Sequence, residues 1–176
     1  MLTFLPIVKE EEDMSCKRLL GIAPLFLLFT FSASASTISF LVVETGLSNG
    51  AASPQNSSRI WEEGLMAFFF DAGHIVTNNP ILRMDEQVPV EIHGTIVEYD
   101  FNEAITGGAE YFVLGFLEYE IQGSRAAAVQ MNIKIYSTLP EELVYEQVFP
   151  AGRSTAEENQ LVRNAGRTII SYIKDR

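Results

Sequence analysis

The segment from Tyr111 to Ile121 constrains the fold more than any other part of the chain. Its first seven residues, Tyr-Phe-Val-Leu-Gly-Phe-Leu, carry no charge, which predicts a central strand buried on both faces. The residues at 122–124 predict a turn, and residues 129–135 then alternate apolar with polar side chains, as in a half-exposed strand. Leu143 to Phe149 predicts a returning strand. We therefore expect three consecutive antiparallel strands.

The residues before this hairpin predict a strand, a helix and a second strand. Ile38–Glu44 is rich in β-branched and aromatic residues, Ile60–Ala72 has apolar residues at helical spacing, and Gly73 is a typical helix end. His74–Thr77 predicts the second strand. Prolines interrupt the apolar alternation within Asn78–Tyr99, which is predicted to be irregular.

Two further helices are expected from capping boxes, in which a helix-starting side chain and the residue three positions later bind each other's backbone amides. One is Asp100–Glu103, with a short helix to about Gly107, and the other is Thr155–Glu158, which precedes an amphipathic terminal helix. The predicted fold is α/β (α+β), a single mixed β-sheet of about five strands packed against two or three helices. The element order is β-α-β-α-β-β-β-α, with the sheet covered mainly on one face.

The amino-terminal residues have the three parts of a secretory signal peptide. A basic stretch ends at Arg18, the apolar stretch Leu19–Phe31 follows, and Ser32–Ser36 contains an A-x-A site, which predicts cleavage between Ala35 and Ser36. The apolar stretch has 13 residues, whereas a membrane-spanning helix needs about 20.

Residues 1–13 do not fit a signal peptide, because four acidic residues at 10–13 precede the basic stretch. We expect translation to start at Met14, so that residues 1–13 are a mis-assigned start. Residues 14–35 are then the signal peptide, and residues 36–176 form one globular domain. Cys16 precedes the apolar stretch, whereas a lipid-accepting cysteine would follow it.

The composition excludes several classes of function. Acidic residues outnumber basic ones by 23 to 12, and the net charge of −11 disfavours binding to nucleic acid or to anionic lipid. The single cysteine excludes an internal disulfide and a cysteine-based zinc cluster. We expect no cofactor, no metal and no membrane span after cleavage.

No combination of side chains in the sequence points to catalysis, so we expect a protein that is not an enzyme. His74 and His93 lack the companion ligands of a metal site, and we expect each to be solvated or locally hydrogen-bonded. Asp85-Glu86 with Glu91, and Glu118 with Glu120, are interpreted as solvated carboxylates rather than acid–base pairs. Phosphate-loop and zinc-protease motifs do not occur.

The segment AITGGAEYFVLGFLEYE at 104–120 resembles the amino-terminal domain of the TolB protein, a fold shared by CsgG- and FlgO-type envelope proteins. The later hairpin and the amphipathic helix at 156–174 fit the same pattern. The resemblance implies a non-catalytic bacterial periplasmic domain that acts through protein contacts. TolB carries a carboxy-terminal propeller and many relatives carry a lipid-accepting cysteine, and we expect neither propeller binding nor lipid anchoring to transfer to this chain.

The expected function is therefore that of an exported interaction or assembly-accessory protein of the cell envelope. Its partners would be envelope proteins, and it would lie in the periplasm, free or peripheral to the outer membrane. Possible partner contacts are Phe70 on the first helix, and Leu143, Tyr145 and Phe149 on the last strand, which is expected at a sheet edge. The alternative is a carrier with an apolar ligand site between the sheet and the helices.

Overall fold

A computed structural model describes residues 35–47, 57–85, 90–123 and 125–174, with side chains except those of residues 85, 90–96 and 125. These residues belong to one compact unit, Ala35–Arg176. The predicted signal peptide lies outside the described residues apart from Ala35, which is exposed and directly precedes the partly buried Ser36. None of the described helices is long and apolar enough to cross a membrane.

The described elements are six strands and three helices. The strands are β1 (Thr37–Leu47), β2 (Ile75–Asn78), β3 (Leu82–Asp85), β4 (Tyr111–Gln122), β5 (Arg125–Thr138) and β6 (Glu141–Pro150). The helices are α1 (Ser57–Asp71), α2 (Val90–Thr106) and α3 (Thr155–Lys174).

All six strands form one mixed sheet, with the order β2-β1-β4-β5-β6 and with β3 also paired to β1. Strands β2, β3 and β4 run parallel to β1, whereas β4, β5 and β6 are successively antiparallel. The predicted single mixed sheet and its terminal antiparallel strands are confirmed. The central pair β1 and β4 comprises the most apolar segments of the chain, as expected for strands with helices on both sides.

The segment predicted to be irregular contains two elements, and the element order is β-α-β-β-α-β-β-β-α. Leu82–Asp85 forms a sixth strand, and α2 begins at Val90 rather than at Asp100, which lies well inside the helix. The capping box at Asp100 was therefore a wrong prediction. Apolar residues at helical spacing, Val97, Phe101 and Ala104, pack α2 onto the sheet.

The sheet has a core on each face. On one face, α1 and α3 cover it with a large cluster that includes Trp61, Phe69 and Ile169. On the other face, α2 contributes to a smaller cluster around Leu41 and Phe112. Two of the three described helices and the larger cluster lie on one face, in line with the expectation of a sheet covered mainly on one face, and α2 buries its apolar side against the other.

Two glycines let α1 and α3 approach each other closely. A Cβ atom at Gly64 would lie 2.4 Å from the Val162 side chain, and one at Gly166 would lie 2.7 Å from the Phe68 ring. Larger side chains there would force the helices apart. This close approach places the amino-terminal end of α3 beside that of α1.

Candidate functional site

The amino-terminal end of α1 lies against two buried carboxylates that come from distant parts of the chain. The Ser58 hydroxyl donates to Oε1 of Glu44 at 2.5 Å, and the Ser57 hydroxyl donates to Oε2 of Glu158 at 2.8 Å. The indole nitrogen of Trp61 donates to Oε1 of Glu158 at 3.1 Å. Both carboxylates are only 3% exposed.

Glu44 is bound by residues of three other elements: Ser58 on α1, Arg83 on β3 and Tyr119 on β4. Nε and Nη2 of Arg83 on β3 each lie 2.8 Å from its Oε2 atom, and the Tyr119 hydroxyl lies 3.4 Å from Oε1. Burial raises the pKa of Tyr119, and the nearby charges of Glu44 and Glu158 act in the same direction. The Tyr119 phenol is therefore a neutral donor in this cluster.

Glu158 has no cationic partner among the described contacts. Burial raises the pKa of Glu158, while the hydrogen bonds from Ser57 and Trp61 lower it to a smaller extent. Its position also corrects the predicted capping box, because Ser154 caps α3: its hydroxyl accepts from the Glu157 amide at 3.3 Å. The Glu157 carboxylate accepts from the Arg153 amide at 3.0 Å, and the Glu158 side chain turns inward.

A pocket of about 830 Å³ opens beside Glu158, between the amino-terminal ends of α1 and α3. Small residues of β5 form one wall, at Ala126–Ala128, and the loop from Pro150 to Thr155 forms another. Ser57, Gln122, Arg153 and Glu157 add polar groups. This pocket is largely polar and lies at the helix ends, whereas the expected ligand site was apolar and lay between the sheet and the helices.

The carboxy-terminal end of α1 is different. Phe70 is 72% exposed, whereas its neighbour Phe69 is fully buried. The helix ends at Gly73, which has a positive φ of 91°, and β2 then begins with Ile75, which is 58% exposed. Two large apolar side chains therefore meet solvent where α1 passes into β2.

His74 lies between these two exposed residues but is itself buried, at 6% exposure. The expectation of a solvated histidine is therefore wrong, and neither ring nitrogen lies within ordinary hydrogen-bond geometry of a described residue. Burial lowers the pKa of His74, and the charge of Lys174 adds to this effect. The backbone of Ser36 and the charge of Glu110 act in the opposite direction.

The three residues of β6 that were predicted as partner contacts differ in exposure. Leu143 is 46% exposed, and Tyr145 is half-buried against the ring of Tyr172, with 5.1 Å between the ring centroids. Phe149 is buried beside Trp61, with centroids 6.1 Å apart, and is therefore not available at the surface. Its alternation on β6 turns it toward the helices.

The other candidate residues do not assemble into a site. Glu118 and Glu120 are exposed on β4, and the Gln130 amide donates to Glu118 at 2.5 Å. His93 lies in α2, but its side chain is outside the described ones, as are Glu86 and the Glu91 side chain. Within the described ranges, no group of three or more histidine, cysteine or acidic side chains is placed to hold a metal.

Sequence reasoning missed the cluster around Glu44 and Glu158. One indication was available: Glu44 falls on the same strand face as Phe40 and Val42, so a charge on that face required a buried partner. The sequence contained no comparable indication for Arg83 or Ser58. Their contacts with Glu44 join residues 39 and 14 positions apart.

No protein-family model matches the chain, and no curated protein matches its sequence. A hypothetical protein from Chlamydia trachomatis is similar in structure, with 9% identity and a TM-score of 0.47, over 80% of this chain and 96% of that one. A PelC dodecamer from Paraburkholderia phytofirmans has 9% identity and a TM-score of 0.42, over 74% and 85% of the two chains.

TolB from Acinetobacter baumannii is also similar, with 15% identity and a TM-score of 0.37. The similarity covers 79% of this chain and 27% of TolB. At these values the similarities assign no family and no activity.

Proposed function

We propose that the protein is an exported, non-catalytic interaction domain of the bacterial cell envelope. The observation that carries the proposal is the exposure of Phe70 next to the buried Phe69, with Ile75 exposed a few residues later. A large apolar side chain gains about 1.5–3 kcal/mol when it is removed from water. Two such side chains at one end of the domain therefore favour contact with another molecule.

The amino-terminal sequence supports export. Its basic stretch, its 13-residue apolar stretch and its A-x-A site together match a cleavable leader. The single cysteine means that the exported chain would depend on packing rather than on disulfides for its stability. Two apolar cores, one on each face of the sheet, are consistent with that requirement.

The proposal is tested by site-specific crosslinking in cells that make the protein. A photo-crosslinking phenylalanine analogue replaces Phe70 in one strain and Arg167, an exposed residue of α3, in a matched control strain. We expect a discrete adduct with an envelope protein from position 70 and none from position 167. Equal labelling at both positions, or adducts with cytoplasmic proteins alone, would contradict the proposal.

A second candidate function is ligand carriage, because the pocket of about 830 Å³ is large enough for a small metabolite. Its small-residue wall at Ala126–Ala128 leaves that space open. Native mass spectrometry of protein purified from its own cells would then show a bound mass. Ala128→Trp, on the pocket side of β5, should remove that mass, whereas Ala67→Trp on the exposed side of α1 should retain it.

A further inference from the structure

The sheet ends in β2 and β3, which both pair with β1, on one side and in β6 on the other. The edges of β2 and β6 are protected to different degrees. Strand β6 carries Glu141, Glu142 and Glu146 and ends at Pro150. Its pairing with β5 shifts register at Val144, which bulges out of the ladder. Charges, bulges and proline are the features by which edge strands avoid pairing with other chains.

Strand β2 has none of these features. Its four residues, Ile75-Val76-Thr77-Asn78, carry no charge and no proline, and they pair with β1 in continuous register. Ile75, Thr77 and Asn78 are exposed. An uncharged edge with β-branched residues favours the addition of another strand.

The hydrogen bonds of β2 show which of its backbone groups remain free. The Ile75 amide donates to the Ser36 carbonyl at 3.0 Å, and the Asn79 amide donates to the Phe40 carbonyl at 2.9 Å. Backbone groups of successive residues point to opposite sides of a strand, so Val76 and Asn78 point away from β1. No described residue binds the outward amide and carbonyl of Val76 or of Asn78.

We propose that the free edge of β2 binds an extended segment of a partner protein by strand addition. This inference rests on the proposed function and specifies how the partner binds. The outward amides and carbonyls of Val76 and Asn78 form the ladder, and the apolar side chains of the added strand lie on the face of the sheet that carries Ile75. Main-chain bonds supply affinity in this mode of recognition, and alternate side chains supply specificity.

The charges beside this edge define the partner segment further. Glu62 on α1 accepts a hydrogen bond from the Asn78 side chain at 3.1 Å, and Asp71 is exposed at the end of the same helix. The whole chain carries a net charge of −11. The bound segment therefore alternates apolar residues with polar or basic ones and contains no acidic residue.

The test uses a synthetic peptide of that chemistry, Lys-Val-Thr-Val-Lys-Val-Thr-Lys, and the purified protein. Amide hydrogen exchange is followed by NMR at peptide concentrations of about 1 mM, which suit a weak, short strand. We expect exchange at Val76 and Asn78 to slow by about tenfold. The same peptide with glutamate in place of lysine should give no protection. Protection of β6 amides instead, or of none, would overturn the proposal.

Substitutions distinguish pairing at β2 from non-specific binding. Ile75→Lys places a charge on the edge and should abolish the protection, whereas Val148→Lys makes the same kind of change at a residue of similar exposure on β6 and should preserve it. Val76→Pro removes an outward amide and no bond to β1, so it should abolish protection with the fold intact. Unchanged peptide protection in all three variants would also overturn the proposal.

The strand-addition proposal and the proposed function can fail separately. If the basic peptide protects β2 while crosslinking from position 70 finds no envelope protein, the edge binds strands and the proposed function is wrong. If crosslinking finds an envelope partner that Ile75→Lys and Val76→Pro still bind normally, the function stands and the partner binds elsewhere.

Discussion

The two ends of α1 differ in whether their polar side chains find hydrogen-bond partners. At the amino-terminal end, the hydroxyls of Ser57 and Ser58 and the indole of Trp61 all donate to carboxylates from β1 and α3. At the carboxy-terminal end, Phe70 is exposed and the buried ring of His74 has no hydrogen-bond partner among the described residues. The buried polar side chains at the amino-terminal end have partners, whereas the ring of His74 at the carboxy-terminal end has none among the described residues.

The amino-terminal end of α1 therefore contributes to the stability of the fold, whereas the carboxy-terminal end offers a surface for contact with a partner. The first turn of α1 contains no acidic residue of its own, and Glu44 and Glu158 supply the negative charge that favours a helix amino terminus. Because these contacts join β1, α1 and α3, the amino-terminal end depends on the whole fold. The carboxy-terminal end leaves the apolar side chain of Phe70 open to a partner.

The largest expected effect is that of Glu158→Ala at the amino-terminal end. It removes the acceptor of two hydrogen bonds and leaves the buried Trp61 indole unpaired, which should lower the free energy of unfolding by about 2–4 kcal/mol. Urea unfolding followed by Trp61 fluorescence measures the loss. Glu157→Ala, at the exposed neighbour, should cost no more than about 1 kcal/mol. Similar losses in both variants would mean that the buried contacts of Glu158 do not stabilise the amino-terminal end of α1.

A smaller loss of stability is expected when Arg83, the cationic partner of Glu44, is replaced. Arg83→Met keeps much of the side-chain volume but leaves a buried carboxylate uncompensated, and the expected destabilisation is about 1–3 kcal/mol because Arg83 itself is half-exposed. Arg59→Met breaks the exposed pair with Glu63 and should change stability by no more than about 0.5 kcal/mol. Calorimetry of both variants compares the buried pair with the surface pair.

The sequence predicts those parts of the fold in which local patterns are strong. The uncharged segment at Tyr111, the alternation from Val129 and the helical spacing after Ile60 all correspond to elements of the structure. Strand β3 and the first part of α2 were missed because Pro80 and Pro89 interrupt the pattern. Those prolines lie next to the two elements rather than within them.

The candidate sites were harder to predict, because periodicity shows which face a residue occupies but not what lies opposite. Ser57 and Glu158 are 101 positions apart, and nothing local to either residue indicates their contact. Phe70 was identified as the aromatic residue outside the apolar stripe of α1, and its exposure follows from that spacing. The free edge of β2 becomes apparent only when the strand order is known.

The pH dependence of stability should distinguish the two ends further. Because burial lowers the pKa of His74 below its ordinary 6.5, the unfolded chain binds the extra proton first as pH falls. Stability from this group is therefore full above about pH 6.5 and is lost as pH falls through the folded pKa. His74→Phe should reduce the fall in melting temperature between about pH 7 and pH 5.5.

The pH dependence of stability that Glu158 contributes has the opposite sign. Because burial raises its pKa above the ordinary 4.5, its contribution is full below that value and is lost as pH rises through the folded pKa. Glu158→Gln keeps the shape and should remove this loss. If the two variants shift the pH profile in the same direction, the opposite linkage assigned to the two ends of α1 is wrong.

The smallest expected effect on stability is that of Phe70→Ser, and it is the most informative about function. The side chain is already in water, so the free energy of unfolding should change by no more than about 0.5 kcal/mol. Phe69→Ser, one residue earlier and fully buried, should cost about 3–5 kcal/mol. A folded Phe70→Ser protein that loses its envelope partner would show that this end of α1 serves contact rather than stability. A large fall in melting temperature would instead place Phe70 in the core and remove the basis of the comparison.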